Sequence, residues 1–329
     1  MRTDLRTVPT KRPSLLKVPH VRTMTGSVYK AWRRERDSKP LQVIEVFDTV
    51  QRQQDALARL RQRIATDVRE GTLEFPPLPR VAIELGKLAA SPDPEIAEAV
   101  SLLEHTPQLA AKVVRIASSA AFGSSRPADL RAAAMRLGVF GLRDLAFAAS
   151  MGQVFRCDSL DALVKEQLAH CFVVAVVSAH ATRALGIGER DGFMAGLFHD
   201  IGRLAALMAL AKYGRAKPNL LDPELASRVS EKVHTDLGPL LLDAWEIGGV
   251  VRTVAQHHHD PMTAAAASPV CLAVATVDAA DHMECEQRVK HLRALPLGYQ
   301  AGFSPDQLDD LATAVDEARA DPLLAQILA

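Results

Sequence analysis

The chain lacks a long apolar run, a closely spaced cysteine pair, a net charge and any sustained alternation of β-branched residues. Each shortage closes a class of function. Among its 329 residues stand four cysteines, Cys157, Cys171, Cys271 and Cys285, and no two form a C-x-x-C pair. That spacing argues against a disulfide scaffold or a cysteine zinc ribbon. Cys171 and Cys271 lie in apolar stretches, where a thiol behaves as a small hydrophobe, and a reducing compartment is expected. No apolar run reaches the roughly 20 residues of a membrane helix. The nearest, Phe193 to Ala211, is broken by His199, Asp200 and Arg203. The first residues are charged, with no apolar block behind them, so no signal peptide is read and a cytoplasmic location is expected. Lys+Arg and Asp+Glu both count 39, which leaves no overall pull toward nucleic acid or anionic lipid.

What remains is a helix-forming composition. Hydrophobic residues make up 48% of the chain, enough for a packed core and too many for global disorder. Alanine, leucine, arginine and glutamate abound, and all favour helix. The fold class expected is all-α, a multi-helix bundle with a helical N-terminal extension. Residues 1–71 read as a basic arm followed by a long helix from Pro40 to Gly71. The arm, up to Pro40, carries eleven basic residues against three acidic ones. It reads as a solvated terminus or as a docking arm for an acidic partner. Only Tyr29 and Trp32 offer rings for base stacking, so nucleic acid is not the expected partner.

FPPLP, from Phe75 to Pro79, is an extended entry to the main domain, because proline restricts both itself and the residue before it. Helices are then expected near 80–90, 94–105, 107–119, 128–137 and 141–155, with Gly138 between the last two. A second group follows at 161–185, 191–213, 222–232, 235–246, 247–259 and 267–283, and a weaker helix at 305–328. The domain is taken as 72–282 and the helical tail as 283–329.

Chemistry-bearing residues concentrate in the second group. They are His170, the adjacent His199 and Asp200, His234, His258 and His259 at the end of a helix, and Asp278. Imidazole and carboxylate donors together suit Mn, Fe or Zn, and a helical bundle can gather them from distant positions. Neighbours on one helix leave it about 100° apart, so His199 and Asp200 could address one ion from two sides, or two ions. Each residue also has a plain alternative. A lone histidine on an apolar helix can be a hydrogen-bonded core residue, and the HHH run can be a polar helix end favoured by the helix dipole.

The order H…HD…H…HH…D, with GLFHDIGRL at its centre, resembles the HD superfamily of metal-dependent phosphohydrolases. Four further stretches narrow the resemblance to the HDOD domain: FPPLP, SLLEHTPQLAAKVVRIASSAAFG, LRAAAMRLGVFGLRDLAFAASMGQVF and HTDLGPLLLDAWEIGGVVRTVAQHHHDP. Against the family's habit, Thr106 stands where an aspartate is common, Ser118-Ser119 where Asn-Ser is common, and Leu168 where a tryptophan is usual. The resemblance implies a non-catalytic output or scaffold module in bacterial signal transduction. It would act on signalling protein partners, in cyclic-di-GMP, stress or motility regulation, with no cofactor required.

The alternative is a metal-dependent phosphohydrolase or phosphodiesterase using His199, Asp200 and Arg203, with a divalent Mn, Fe or Zn held by His170, His199, Asp200, His234, His258, His259 and Asp278. Against it, the related phosphodiesterases carry a lysine where this chain has Arg203, which keeps the charge but is no proton donor. They also carry a Gly-Tyr-Pro loop where this chain runs HHHDPMTAAAASPV.

Overall fold

The computed structural model describes residues 58–122, 126–188, 190–215, 222–263 and 268–321, and among these no strand occurs. The basic arm and the beginning of the long N-terminal helix lie outside the described residues, as do residues 322–329. The elements are α1 (residues 58–69), α2 (Arg80–Ala89), α3 (Ile96–Glu104), α4 (Pro107–Ala117), α5 (Leu130–Val154), α6 (Asp161–Ala184) and α7 (Gly192–Phe198). They continue with α8 (Ile201–Gly214), α9 (Pro223–Ala244), α10 (Gly249–His257), α11 (Pro269–Asp281), α12 (Arg288–Ala294), α13 (Pro296–Ala301) and α14 (Pro305–Ala320).

Local sequence explains most of these boundaries. Proline opens α4, α9, α11, α13 and α14 at the first turn, where its missing N–H costs nothing. Asp129 and Asp222 cap α5 and α9 by accepting the backbone N–H groups of Ala132 and Leu225, each at 2.8 Å. Ser304 and Gln307 form a reciprocal capping box on α14. Gly138 has φ 65° inside α5, so that element is two helices meeting at a kink, as the sequence predicts.

Helices α2, α3 and α4 pack on α5 as one apolar layer. The second layer pairs α6 with α7 and α8 with α9, and closes with α10, α11 and α14. Leu60 and Ile64 of α1 are buried in the main core, and Tyr213 on α8 donates its hydroxyl to Asp67 at 2.5 Å. Trp245 donates its indole N–H to the Pro76 carbonyl at 2.9 Å, which fixes the FPPLP entry against the second layer. Two stretches, Asp158–Ala184 and Gly192–Gly214, have the length and composition of membrane spans, but in the most apolar 18 residues of each, more than half and nearly nine-tenths respectively are buried in the bundle.

Two expected boundaries differ. The stretch 191–213 is not one helix: it breaks at His199-Asp200, where Asp200 leaves helical geometry at φ −108°, ψ 17°. Conversely, 222–232 and 235–246 form the single helix α9, which runs through Pro239. Leu237, Leu241 and Leu242, all buried, supply packing that offsets the helix-breaking cost of the proline.

Candidate metal centre

The break at His199-Asp200 builds the site. Two glycines flank it, and each lets a helix approach its neighbour backbone to backbone. A Cβ at Gly196 would stand 2.6 Å from the Val174 carbonyl oxygen on α6. One at Gly202 would stand 2.0 Å from the His234 carbonyl oxygen on α9. Helix α7 is thereby pressed onto the helix that carries His170, and α8 onto the helix that carries His234. His199 and Asp200, at the hinge between them, reach both.

Four imidazoles then share one arrangement. The Nδ1–H of His170 donates to Asp281 Oδ2 at 2.7 Å, that of His199 to the Gly196 carbonyl at 2.7 Å, that of His234 to the Glu231 carbonyl at 2.8 Å and that of His258 to the Val254 carbonyl at 3.0 Å. Carbonyl and carboxylate oxygens only accept, so the proton of each neutral ring sits on Nδ1. The four Nε2 lone pairs consequently point inward. His170 Nε2 lies 3.0 Å from His199 Nε2, and His234 Nε2 lies 3.4 Å from His258 Nε2. Two unprotonated nitrogens at these distances repel, so each pair needs either a proton on one ring, as a hydrogen bond, or a metal cation between them.

Two carboxylates complete the centre. Asp200 Oδ1 is 3.2 Å from both His234 Nε2 and His258 Nε2, while its Oδ2 is 3.7 Å from His170 Nε2 and 3.9 Å from His199 Nε2. Asp278 Oδ1 lies 3.3 Å from His170 Nε2 and 3.5 Å from His199 Nε2. Asp200 Oδ1 and Asp278 Oδ1 are buried, and when the rings are neutral with their protons on Nδ1 neither has a well-aligned donor among the histidine Nε2 atoms that surround it. An orphaned buried carboxylate oxygen is costly, and here two of them face the inward nitrogens. The donors fall into two sets, each with ligand atoms within 4.8 Å of one another: Asp200, His234, His258 and His259, and His170, His199 and Asp278. Asp200 lies between the sets. Nitrogen and oxygen donors of this kind fit Zn, Mn or Fe, and the outward Nδ1–H bonds are the outer-shell partners that metal-binding histidines use.

Electrostatics keeps both carboxylates charged. Burial would raise the Asp200 and Asp278 carboxyls, yet the surrounding histidines outweigh it and hold both well below the usual carboxylate range. Burial lowers His170, but its contacts with Asp278 and Asp281 prevail and lift it to about 9, so at neutral pH a metal would bind there by displacing the proton on Nε2. Burial pushes His234 down to about 4, so at neutral pH its ring is unprotonated and free to ligate.

All seven residues proposed from sequence as ligands converge here, six of them at most 6% exposed and His259 at the mouth. The His259 ring packs on those of His258 and His234 at 4.3 and 4.9 Å. Arg203 is fixed beside the centre: its Nε lies 2.6 Å from Asp200 Oδ2, and its other arm pairs with Glu231. Gln167 donates to Asp200 Oδ2 at 3.1 Å.

Sequence reasoning missed Asp281, His282, Gln167 and Arg319. The first two sit three and four residues beyond Asp278 on the same helix face, and Gln167 sits three before His170, so helical spacing carried a signal for each. His282 Nε2 reaches Asp278 Oδ1 at 3.2 Å. Arg319, which pairs with Asp281 from α14, left no local signal.

Comparison with known proteins agrees with this architecture. A protein from Shewanella amazonensis SB2B, provisionally named a metal-dependent phosphohydrolase, superposes with TM-score 0.62 at 17% identity, over 80% of this chain and 99% of its own. One from Marinobacter aquaeolei VT8, provisionally named a signal transduction protein, gives 0.55 at 20% identity, over 82% and 66%. At these identities the likeness shows the fold alone. An uncharacterized protein of Treponema pallidum (strain Nichols) is 23% identical over 210 residues, which are 60% of this chain and 40% of that protein's length. The family model for the HDOD domain matches residues 75–261. That match takes in more than half of the chain and most of the histidine–aspartate centre, and the protein belongs to the HDOD domain family.

Proposed function

We propose that this chain is a signal-transduction module that acts through contact with protein partners, and that its histidine–aspartate centre holds a divalent metal as a structural and regulatory element. The observation that carries the reading is the enclosure of the centre. Its inward donors are matched to a cation, while Arg203, the adjacent guanidinium, is already engaged by Asp200 and Glu231 rather than presented to a phosphate. His170, His199, Asp200, His234, His258 and Asp278 would hold the metal, with His259 at the rim. Bound there, it would neutralise the facing lone pairs and tie together α6, α9, α10, α11 and the α7–α8 hinge. The basic arm before Pro40 is the proposed partner contact, and the expected partner is a signalling protein, with cyclic-di-GMP networks one setting.

One observation favours a second reading, a phosphohydrolase. Asp200 belongs to one donor set and faces the other, its Oδ2 3.7 and 3.9 Å from His170 and His199 Nε2, and paired metals about 3.5–4 Å apart can clamp a phosphate and activate water. Metal analysis of protein purified without chelator, with turnover assays on an aryl phosphodiester and on cyclic di-GMP, separates the readings. Stoichiometric metal without turnover supports the module. Turnover that disappears in both His199→Ala and Asp200→Ala, with folding intact, overturns it in favour of the enzyme. Co-purification with and without residues 1–39, which leaves the core residues Leu60 and Ile64 of α1 in place, tests the arm: partner capture lost on truncation is the expected result, and capture by neither form removes the contact reading.

A further inference from the structure

The C-terminal helix α14 lies beyond the segment that the HDOD family model matches, yet it touches the centre's outer shell. Arg319 places Nε 2.6 Å from Asp281 Oδ1 and Nη2 2.5 Å from Asp281 Oδ2, a two-pronged pair. The same Asp281 accepts the Nδ1–H of His170 at 2.7 Å. His170 Nε2 points into the centre, 3.0 Å from His199 and 3.3 Å from Asp278. A second arginine reinforces the arrangement. Arg288 donates to the carbonyls of Ala280 and Met283 at 2.8 and 2.9 Å and pairs with Asp316 on α14. The end of α11, which carries Asp278 and Asp281, is thus held from both sides by contacts that run to α14.

We propose that Asp281 and Arg319 are positioning residues of the metal centre, so that the C-terminal helix sets the affinity of a site whose other parts lie mostly in the family's own segment. The proposal rests on the reading of the centre as a metal site. Asp281 can bond Nδ1–H only when the ring carries its proton there, which leaves Nε2 as the donor. A carboxylate behind a ligating histidine also makes that ring the more basic, and the loss of such a partner weakens metal binding by about 10–100-fold. Arg319 fixes the carboxylate in turn. Its fork matches both oxygens, which a lysine cannot reproduce.

The test is a cobalt(II) titration of the full-length, metal-free protein, followed by the visible d–d bands, with thermal melts of each metal-free variant alongside. Arg319 is 41% exposed, so Arg319→Ala leaves the fold standing. The expected result is a cobalt affinity about 10–100-fold weaker in Asp281→Asn and Arg319→Ala, with altered d–d bands in both and partial recovery in Arg319→Lys. Arg293→Ala removes a different pair on α14, to Asp309, and leaves affinity and bands unchanged. Wild-type affinity and spectrum in Asp281→Asn and Arg319→Ala overturn the positioning role. So does an equal loss in Arg293→Ala, which would mean general loosening of the helix. A wild-type protein that takes up no cobalt overturns the metal reading itself, and the two failures are told apart by that control.

Discussion

The two layers of this domain bury different things. Between Arg80 and Val154 the fully buried side chains are apolar apart from Ser119 and Ser150, Ser150 satisfies itself on the Ala146 carbonyl at 2.7 Å, and the half-buried Asp144 pairs with Arg143. From Asp161 onward the same burial takes in His170, His199, Asp200, His234, His258, Asp278, Asp281 and Arg288. The first layer is held by area removed from water, at about 25 cal/mol per Å² of apolar surface. The second carries, in addition, polar groups whose burial is tolerable only when each has a partner. If the centre holds a metal as proposed, the stability of the second layer depends on it and that of the first does not.

The largest effect that breaks this comparison comes from the apolar side. Leu142→Ala, at a fully buried position of α5, is expected to cost about 2–5 kcal/mol, with the same loss of melting temperature whether or not a chelator is present. A loss that depends on chelator would mean the layers share one fate. Next comes Gly202→Ala. The added methyl meets backbone atoms of α9 on two sides, the His234 oxygen at 2.0 Å and the Gly238 nitrogen at 2.6 Å. Neither can swing aside, so a destabilisation of about 3 kcal/mol is expected, the upper end for overpacking, together with weaker metal uptake. Unchanged uptake would separate the hinge from the centre.

Metal removal is expected to rank third. A metal present at 100 times its dissociation constant contributes about 2.7 kcal/mol, and hydrogen exchange should place the loss in α6 to α11 rather than in α2 to α5. Uniform exchange would contradict the division.

The smallest effect concerns Asp144, whose carboxyl burial raises to about 6 against the pull of Arg143. A raised carboxyl contributes stability below its unfolded value near 3.8 and loses it as pH climbs through about 6. Relative to Asp144→Asn, the wild-type melting temperature should fall between pH 4 and pH 6.5. A pH-independent difference would show that the Arg143 pair dominates.

Much of this was legible in the amino-acid order. Pro107, Pro223, Pro269 and Pro305 each open a helix at the position where the ring fits, and Gly138 marks a kink by the one backbone conformation its neighbours would resist. The ligand candidates were visible as residue types because histidine and aspartate are rare in apolar helices. The break at His199-Asp200 was not visible, since an unbroken helical pattern runs across it from Phe193 to Leu210. The break coincides with the close approach of α6 at Gly196 and of α9 at Gly202, and no window of local sequence contains those partners. Arg319 was hidden for a related reason: it acts on a residue 38 positions away, at a distance that only α14 packing against α6 and α11 closes.

By itself, then, the sequence determined that this chain is helical, where most helices begin, and which side chains have the chemistry to hold a cation. Only the tertiary structure decided that four rings turn their Nε2 atoms inward in two pairs, that Arg203 is bound to carboxylates, and that the C-terminal helix stands behind His170. The reason is physical. Helix propensity and capping are settled within a few residues, whereas the direction of a lone pair depends on which carbonyl or carboxylate accepts the proton at the far side of the ring, and for His170 that acceptor arrives from another helix.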